Sequence, residues 1–127
     1  MESPGGKLRS IYERIDGDYD SICKRFSKEE KVMKYLCKFA ASKDYLELEE
    51  AYKNLRYEDI FRSTHNIKGV AANLGFTELF NKCDTLCEMT RGGDPGTDIS
   101  GNVDEISAAY RKVTDALNGM IEEGILQ

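Results

Sequence analysis

Proline is nearly missing from this chain of 127 residues, occurring only at Pro4 and Pro95. The long stretch over residues 7–92 is therefore free of the strongest helix breaker. No run of about 18 apolar residues occurs, so no membrane span is expected. The N-terminus, Met1-Glu2-Ser3-Pro4-Gly5-Gly6, has neither a basic n-region nor an apolar h-region and does not read as a secretory signal. A surplus of basic charge is missing too. The net charge is −5, with Lys and Arg scattered among Asp and Glu, so nucleic acid is not expected as a partner. Histidine occurs once, at His65. A di-iron carboxylate bundle needs two Glu-x-x-His pairs. A single histidine, with Arg62 three residues before it, excludes that class.

What is present is helical periodicity. Nowhere do several residues alternate as a half-buried strand would. Residues 1–6 read as a flexible lead-in, and residues 7–127 as one domain, a natural count for this length. A first helix over about residues 7–15 turns Leu8, Ile11, Tyr12 and Ile15 to one side. Gly17 ends it, and Asp18 can cap a short second helix carrying Ile22, Cys23 and Phe26. Ser27-Lys28-Glu29-Glu30 is an S-x-x-E capping box. The helix it opens buries Val32, Met33, Leu36, Cys37, Phe39 and Ala40. Asp44-Tyr45-Leu46-Glu47 repeats the pattern ahead of Leu48, Ala51 and Tyr52. A helix over residues 57–74 carries the stripe Ile60, Thr64, Ile67, Ala71 and Leu74, and Gly75 stands where a C-terminal glycine belongs. Thr77 can cap the next helix, with Leu79, Phe80, Cys83, Leu86, Cys87 and Thr90 inward. Residues 92–96 form a loop by composition. Asn102 with Glu105 can cap a last helix that buries Val103, Ile106, Tyr110, Val113, Leu117, Met120 and Ile121. Such helices, joined by short loops, pack as an antiparallel bundle.

His65 lies in the middle of the 57–74 helix. At about 100° per residue it points away from the apolar stripe, with Glu58, Phe61, Arg62, Lys68, Gly69 and Ala72 on its own side. A neutral imidazole is a good nucleophile near pH 7, and a phosphorylated one needs cations nearby. Helical side chains lean toward the N-terminus, so Lys68 is expected to lean back over His65. Residue 69 would crowd the ring if it had a side chain, and glycine leaves that space open. The plainer readings are that a lone histidine is only a surface residue and that a mid-helix glycine serves close packing. The second is weakened because Gly69 lies away from the predicted core. Phe61, one turn before His65, is either part of a docking surface or tucked against a neighbouring helix.

The segment Thr64-His65-Asn66-Ile67-Lys68-Gly69-Val70-Ala71-Ala72-Asn73-Leu74-Gly75-Phe76 closely resembles the signature of histidine phosphotransfer (Hpt) domains, His-x-x-Lys-Gly followed by small residues and a glycine. The resemblance extends loosely over most of the chain. It implies an all-α fold, an antiparallel four-helix bundle core with additional short N-terminal helices. It implies that His65 accepts a phosphoryl group from a receiver aspartate and returns it to another, without turnover of its own. Lys68 and Gly69 carry over as the residues that neutralise and accommodate that group. Phe61, Arg62 and Ala72 are the expected docking residues. The expected partners are response-regulator receiver domains, with a hybrid sensor histidine kinase as a further candidate. Mg²⁺ is expected on the receiver, and no cofactor or metal on this chain, which is read as a cytoplasmic monomer. Arg56 departs from the pattern, standing where a helix-capping Asp is usual.

Two other classes compete. The Lys-Gly motif also resembles the phosphoacceptor domain of chemotaxis-type histidine kinases, although no glycine-rich nucleotide site follows it here. A helical interaction module that has lost phosphorylation is the other, and the presence of His65 with Lys68 and Gly69 argues against it. Cys83 and Cys87 are four residues apart and could share a metal, but they fall in an apolar stripe. All four cysteines, with Cys23 and Cys37, are read as reduced core residues.

Overall fold

The computed structural model describes residues 4–126, with side chains from Leu8 onward. Seven helices follow one another: α1 Pro4–Ile15, α2 Tyr19–Arg25, α3 Glu29–Ala40, α4 Asp44–Lys53, α5 Tyr57–Leu74, α6 Thr77–Thr90 and α7 Ser100–Glu122. Among the described residues there is no strand. Helix α1 starts ahead of the expected Lys7, with Pro4 in its first turn, where a missing N–H costs nothing. Residues 1–3 of the expected lead-in lie outside the described residues.

The 3.6-residue period sorts the side chains as expected in most places. Ile60, Thr64, Ile67, Ala71 and Leu74 of α5 are buried, as are Leu8, Ile11, Tyr12 and Ile15 of α1. Fully burying one such Leu or Ile is worth roughly 1.5–3 kcal/mol, so each stripe commits its helix to the core. Helix α5 packs most extensively on α6 and next on α4, α6 packs on α7, and α7 also meets α3 and α1. Phe39, Tyr45, Phe76 and Tyr110 fill the centre. The Tyr45 and Tyr110 rings stack at 4.8 Å, and Phe39 meets Phe76 edge-on at 5.0 Å.

Two of the stripes are narrower than expected. Cys23 is exposed, because a helix as short as α2 presents only one shallow inner edge, and Ile22 takes it. Ile121 is exposed in the last turn of α7, where Met120 points inward instead.

The helix starts differ more. Asp18 caps α2 as expected, accepting from the Ser21 N–H at 3.1 Å. The Ser27–Glu30 capping box does not form. Lys28 is the N-cap, and the Glu29 carboxylate instead accepts the Leu8 N–H of α1 at 3.1 Å. Asp44 is the first residue of α4, and the Ser42 hydroxyl accepts its N–H at 3.2 Å. Thr77 is likewise already helical, preceded by the buried Phe76. Helix α7 begins before Asn102, and Asp98 accepts the Ser100 N–H at 2.9 Å. Arg56 does stand at the N-cap of α5, with no side-chain cap, and pairs with Asp59 at 3.4 Å.

The C-terminus of α5 is anchored by groups outside the helix. Gly75 takes φ +76°, and the Phe76 N–H closes back on the Ala71 carbonyl at 2.9 Å, the bonding of a Schellman turn. The last carbonyls of a helix have no partner inside it. Here α1 and α2 supply them. Arg25 donates to Ala72 O at 3.2 Å, Tyr12 OH to Leu74 O at 2.8 Å, and the Asp18 N–H to Gly75 O at 2.8 Å. The N-terminal helices thereby hold the end of the helix that carries His65.

Candidate functional site

His65 sits midway along α5 and is exposed, on the side opposite the buried stripe. One turn before it, Phe61 stacks on the imidazole, with ring centroids 6.0 Å apart and planes 21° from parallel. From α6, the C-cap residue Arg91 places its guanidinium carbon 5.4 Å from the Phe61 centroid. Phe61 is half-buried in this arrangement. Its ring meets both the imidazole and the Arg91 cation.

Gly69 is open. A Cβ built there would meet nothing within 4 Å. Close packing therefore does not account for a glycine at this position, and the room expected beside His65 exists. Gly75 differs completely, since a Cβ there would come within 2.9 Å of the Asp18 carbonyl oxygen.

The Lys68 ammonium reaches across the helix interface and donates to the Asp84 carboxylate of α6 at 3.2 Å, a charge-assisted bond. Arg62 is exposed and bonded to Asp59 at 2.7 Å. Ala72 is half-buried, with its carbonyl used by Arg25. The structure thus sets Phe61 against His65 and leaves Gly69 open, with the Lys68 ammonium on Asp84 and Arg62 on Asp59.

Reasoning from sequence missed the contribution of α6. Asp84, Glu88 and Arg91 follow one another at one-turn spacing along its flank, where Asp84 bonds Lys68 of α5 and Arg91 lies on Phe61. Glu88 holds Arg91 through two bonds, at 2.6 and 3.3 Å. Those bonds draw the Glu88 carboxyl below its usual range and raise Arg91. The spacing was visible in the chain. Which flank of α6 turns toward His65 depends on how α5 and α6 pack, and neither helix alone encodes it.

Behind these groups, burial and the neighbouring Cys87 push the Cys83 thiol up to about 12. Cys83 and Cys87 are buried, as expected, and Cys37 is half-buried. An apolar groove of about 530 Å³ opens alongside α5, lined among others by Phe26, Tyr35, Val70 and Asn73, with Arg25 and Lys38 as its cations. Asn73 lies one turn beyond Gly69.

An exposed histidine on a helix can donate a lone pair to a group brought by another molecule. The sequence model of the Hpt domain matches residues 38–122, from the end of α3 to the end of α7, and the chain belongs to the Hpt domain family. Helices α1 and α2 lie outside the matched segment. No curated protein and no solved structure matches the chain. No helix among the described residues is long and apolar enough to cross a membrane.

Proposed function

We propose that this protein is a phosphoryl carrier that relays a phosphoryl group between receiver-domain aspartates through His65. The observation that carries the reading is the exposed His65 with an unfilled space at Gly69, on the helix that bears the family motif. A phosphorylated receiver docks over Phe61, His65, Gly69 and Ala72. The lone pair of one imidazole nitrogen, Nε2 because it projects furthest, attacks the phosphorus in line. The new N–P bond forms as the acyl phosphate P–O bond breaks, and the aspartate leaves as a carboxylate. The receiver brings the Mg²⁺ and most of the charge stabilisation. This chain supplies the nucleophile and local positive charge, and no net turnover.

In this reading α3 and α4, counted together as one arm of the bundle, join α5, α6 and α7 in the four-helix core, and α1 and α2 are the additional N-terminal helices. The packing of α5 on α6, α6 on α7 and α7 on α3 supports that grouping. The groove beside Asn73 extends the docking face, its apolar lining suited to a helix of the receiver and its cations to acidic side chains.

The test is transfer from phosphorylated receivers of the same genome to the purified protein. Phosphate that is acid-labile and base-stable should appear on the wild type. His65→Gln should keep the helical fold by circular dichroism and take up none. Labelling that persists in His65→Gln would overturn the reading.

A further inference from the structure

Lys68 is the cation one turn after His65, yet its ammonium is already engaged, bonded to Asp84 at 3.2 Å. Its side chain is 18% exposed, against 46% for Asp84, so the lysine is the more covered partner. One turn further along α6, Glu88 engages Arg91 at 2.6 Å, and Arg91 lies on the Phe61 ring that stacks on His65. Each of these two cations is therefore matched by a carboxylate of α6. The two pairs also sense each other. Lys68 adds to the Arg91 bond in lowering the Glu88 carboxyl, and Asp84 adds to Glu88 in raising Arg91.

We infer that Asp84 is a positioning residue that holds Lys68 beside His65 and offsets its charge, so that phosphoryl uptake by His65 stays reversible. The inference rests on the phosphoryl-carrier reading. A phosphoryl group brings close to two negative charges at neutral pH. Unopposed cations around His65 would favour the phosphorylated form and make the group harder to pass on. A carrier is served by less attraction, and Asp84 provides the offset without touching the reacting atoms. Lys68 has three N–H donors. One is used on Asp84, and the others can reach phosphoryl oxygens while the tether remains. Replacing the carboxylate by an amide keeps an acceptor for the ammonium and removes the charge, so Asp84→Asn separates holding from offsetting.

The experiment uses the full chain, phosphoramidate as donor and ammonium chloride as competing product. The imidazole lone pair forms the new N–P bond, the donor's N–P bond breaks, and ammonia leaves and takes up the proton the ring gives up. At fixed donor and ammonium concentrations, phosphorus NMR reads the ratio of phosphorylated to free protein. Asp84→Asn should raise that ratio about two- to fivefold, the size of one exposed charge pair. Asp84→Glu should keep the wild-type ratio. In a Lys68→Gln background Asp84→Asn should have a smaller effect, because the two residues act as a coupled pair. An unchanged ratio in Asp84→Asn, or an undiminished effect without Lys68, overturns the inference while leaving His65 as an acceptor. A melting point that drops with the ratio unmoved would make Asp84 merely structural. Failure of the wild type to form phosphohistidine, from phosphoramidate and from phosphorylated receivers alike, overturns the carrier reading and this inference together.

Discussion

Phe61 and His65 lie in near-parallel contact one helical turn apart, with centroids 6.0 Å from each other, and the Arg91 guanidinium rests on Phe61 at 5.4 Å. Stacking of this kind is worth about 0.5–1.5 kcal/mol. It biases the imidazole toward one rotamer without locking it. Phe61→Ala should therefore slow phosphohistidine formation by up to about tenfold, the rate effect of that energy. The fold should survive, since Phe61 is only half-buried. Proton NMR provides the check, because losing the ring should shift the His65 ring protons. Unshifted resonances in Phe61→Ala would mean the stack does not persist in solution.

Lys68 and Lys82 make a controlled pair, since both are lysines in ion pairs between helices. Lys68 bonds Asp84 beside the site, whereas Lys82 bonds Glu105 of α7 at 3.0 Å. Charge-assisted bonds to phosphoryl oxygens are the stronger kind, and only Lys68 is placed to make one. Lys68→Ala should slow transfer about tenfold. Lys82→Ala should change it by less than about twofold, as expected for a surface ion pair away from the site. Rapid-quench transfer from a phosphorylated receiver measures both, and equal effects would reduce Lys68 to surface charge.

Much of this molecule can be read from the chain because burial follows the 3.6-residue period. The α5 stripe, the Gly75 turn and the outward His65 all come from that one regularity. It has two weak points. At helix starts several polar groups compete for the same N–H donors, and tertiary contacts decide among them. Glu29 is drawn to α1, and Asp98 acts four residues before the expected cap at Asn102. The other weak point is any relation between helices. Lys68 belongs to α5, but its partner Asp84 is set by the packing of α6. Periodicity tells which way a residue faces from its own axis. It does not tell what stands opposite.

The Cys83 thiol offers a test of the core by pH. Burial raises it from 9.0 to about 12 in the folded chain. An unfolded chain releases this proton near 9, while the folded one keeps it. The unfolded state therefore binds fewer protons between those values, and stability must fall as pH rises through that window. The contribution is complete below about pH 9 and is lost progressively toward pH 12, at a slope of up to about 1.4 kcal/mol per pH unit. Cys83→Ala should lose stability at neutral pH through its smaller volume, about 1 kcal/mol, yet show a shallower alkaline decline. Urea unfolding between pH 8 and 10.5 gives the slopes, and equal slopes in both proteins would place Cys83 in contact with water.

Gly69 gives the sharpest test of the site, because its two possible roles predict opposite signs. A packing glycine would be damaged by any side chain, and both Gly69→Ala and Gly69→Leu would destabilise by about 1–3 kcal/mol. The open surroundings, with nothing within 4 Å of a built Cβ, predict otherwise. Its φ is not in the left-handed region, so an L-residue fits without strain. Gly69→Ala should stabilise the protein by roughly 0.5–1 kcal/mol, through helix propensity and a less flexible unfolded chain. Gly69→Leu should also be tolerated thermally. Its side chain, however, leans toward the helix N-terminus and so over His65, into the space an incoming receiver needs. Transfer to Gly69→Leu should drop by at least about a hundredfold, the cost of displacing reacting groups from attack distance. A melting curve and a transfer assay on each variant decide the matter. Higher stability with lost transfer supports a glycine kept for access to His65. Two destabilised variants would put Gly69 in a packed interface and overturn the placement of the reactive face.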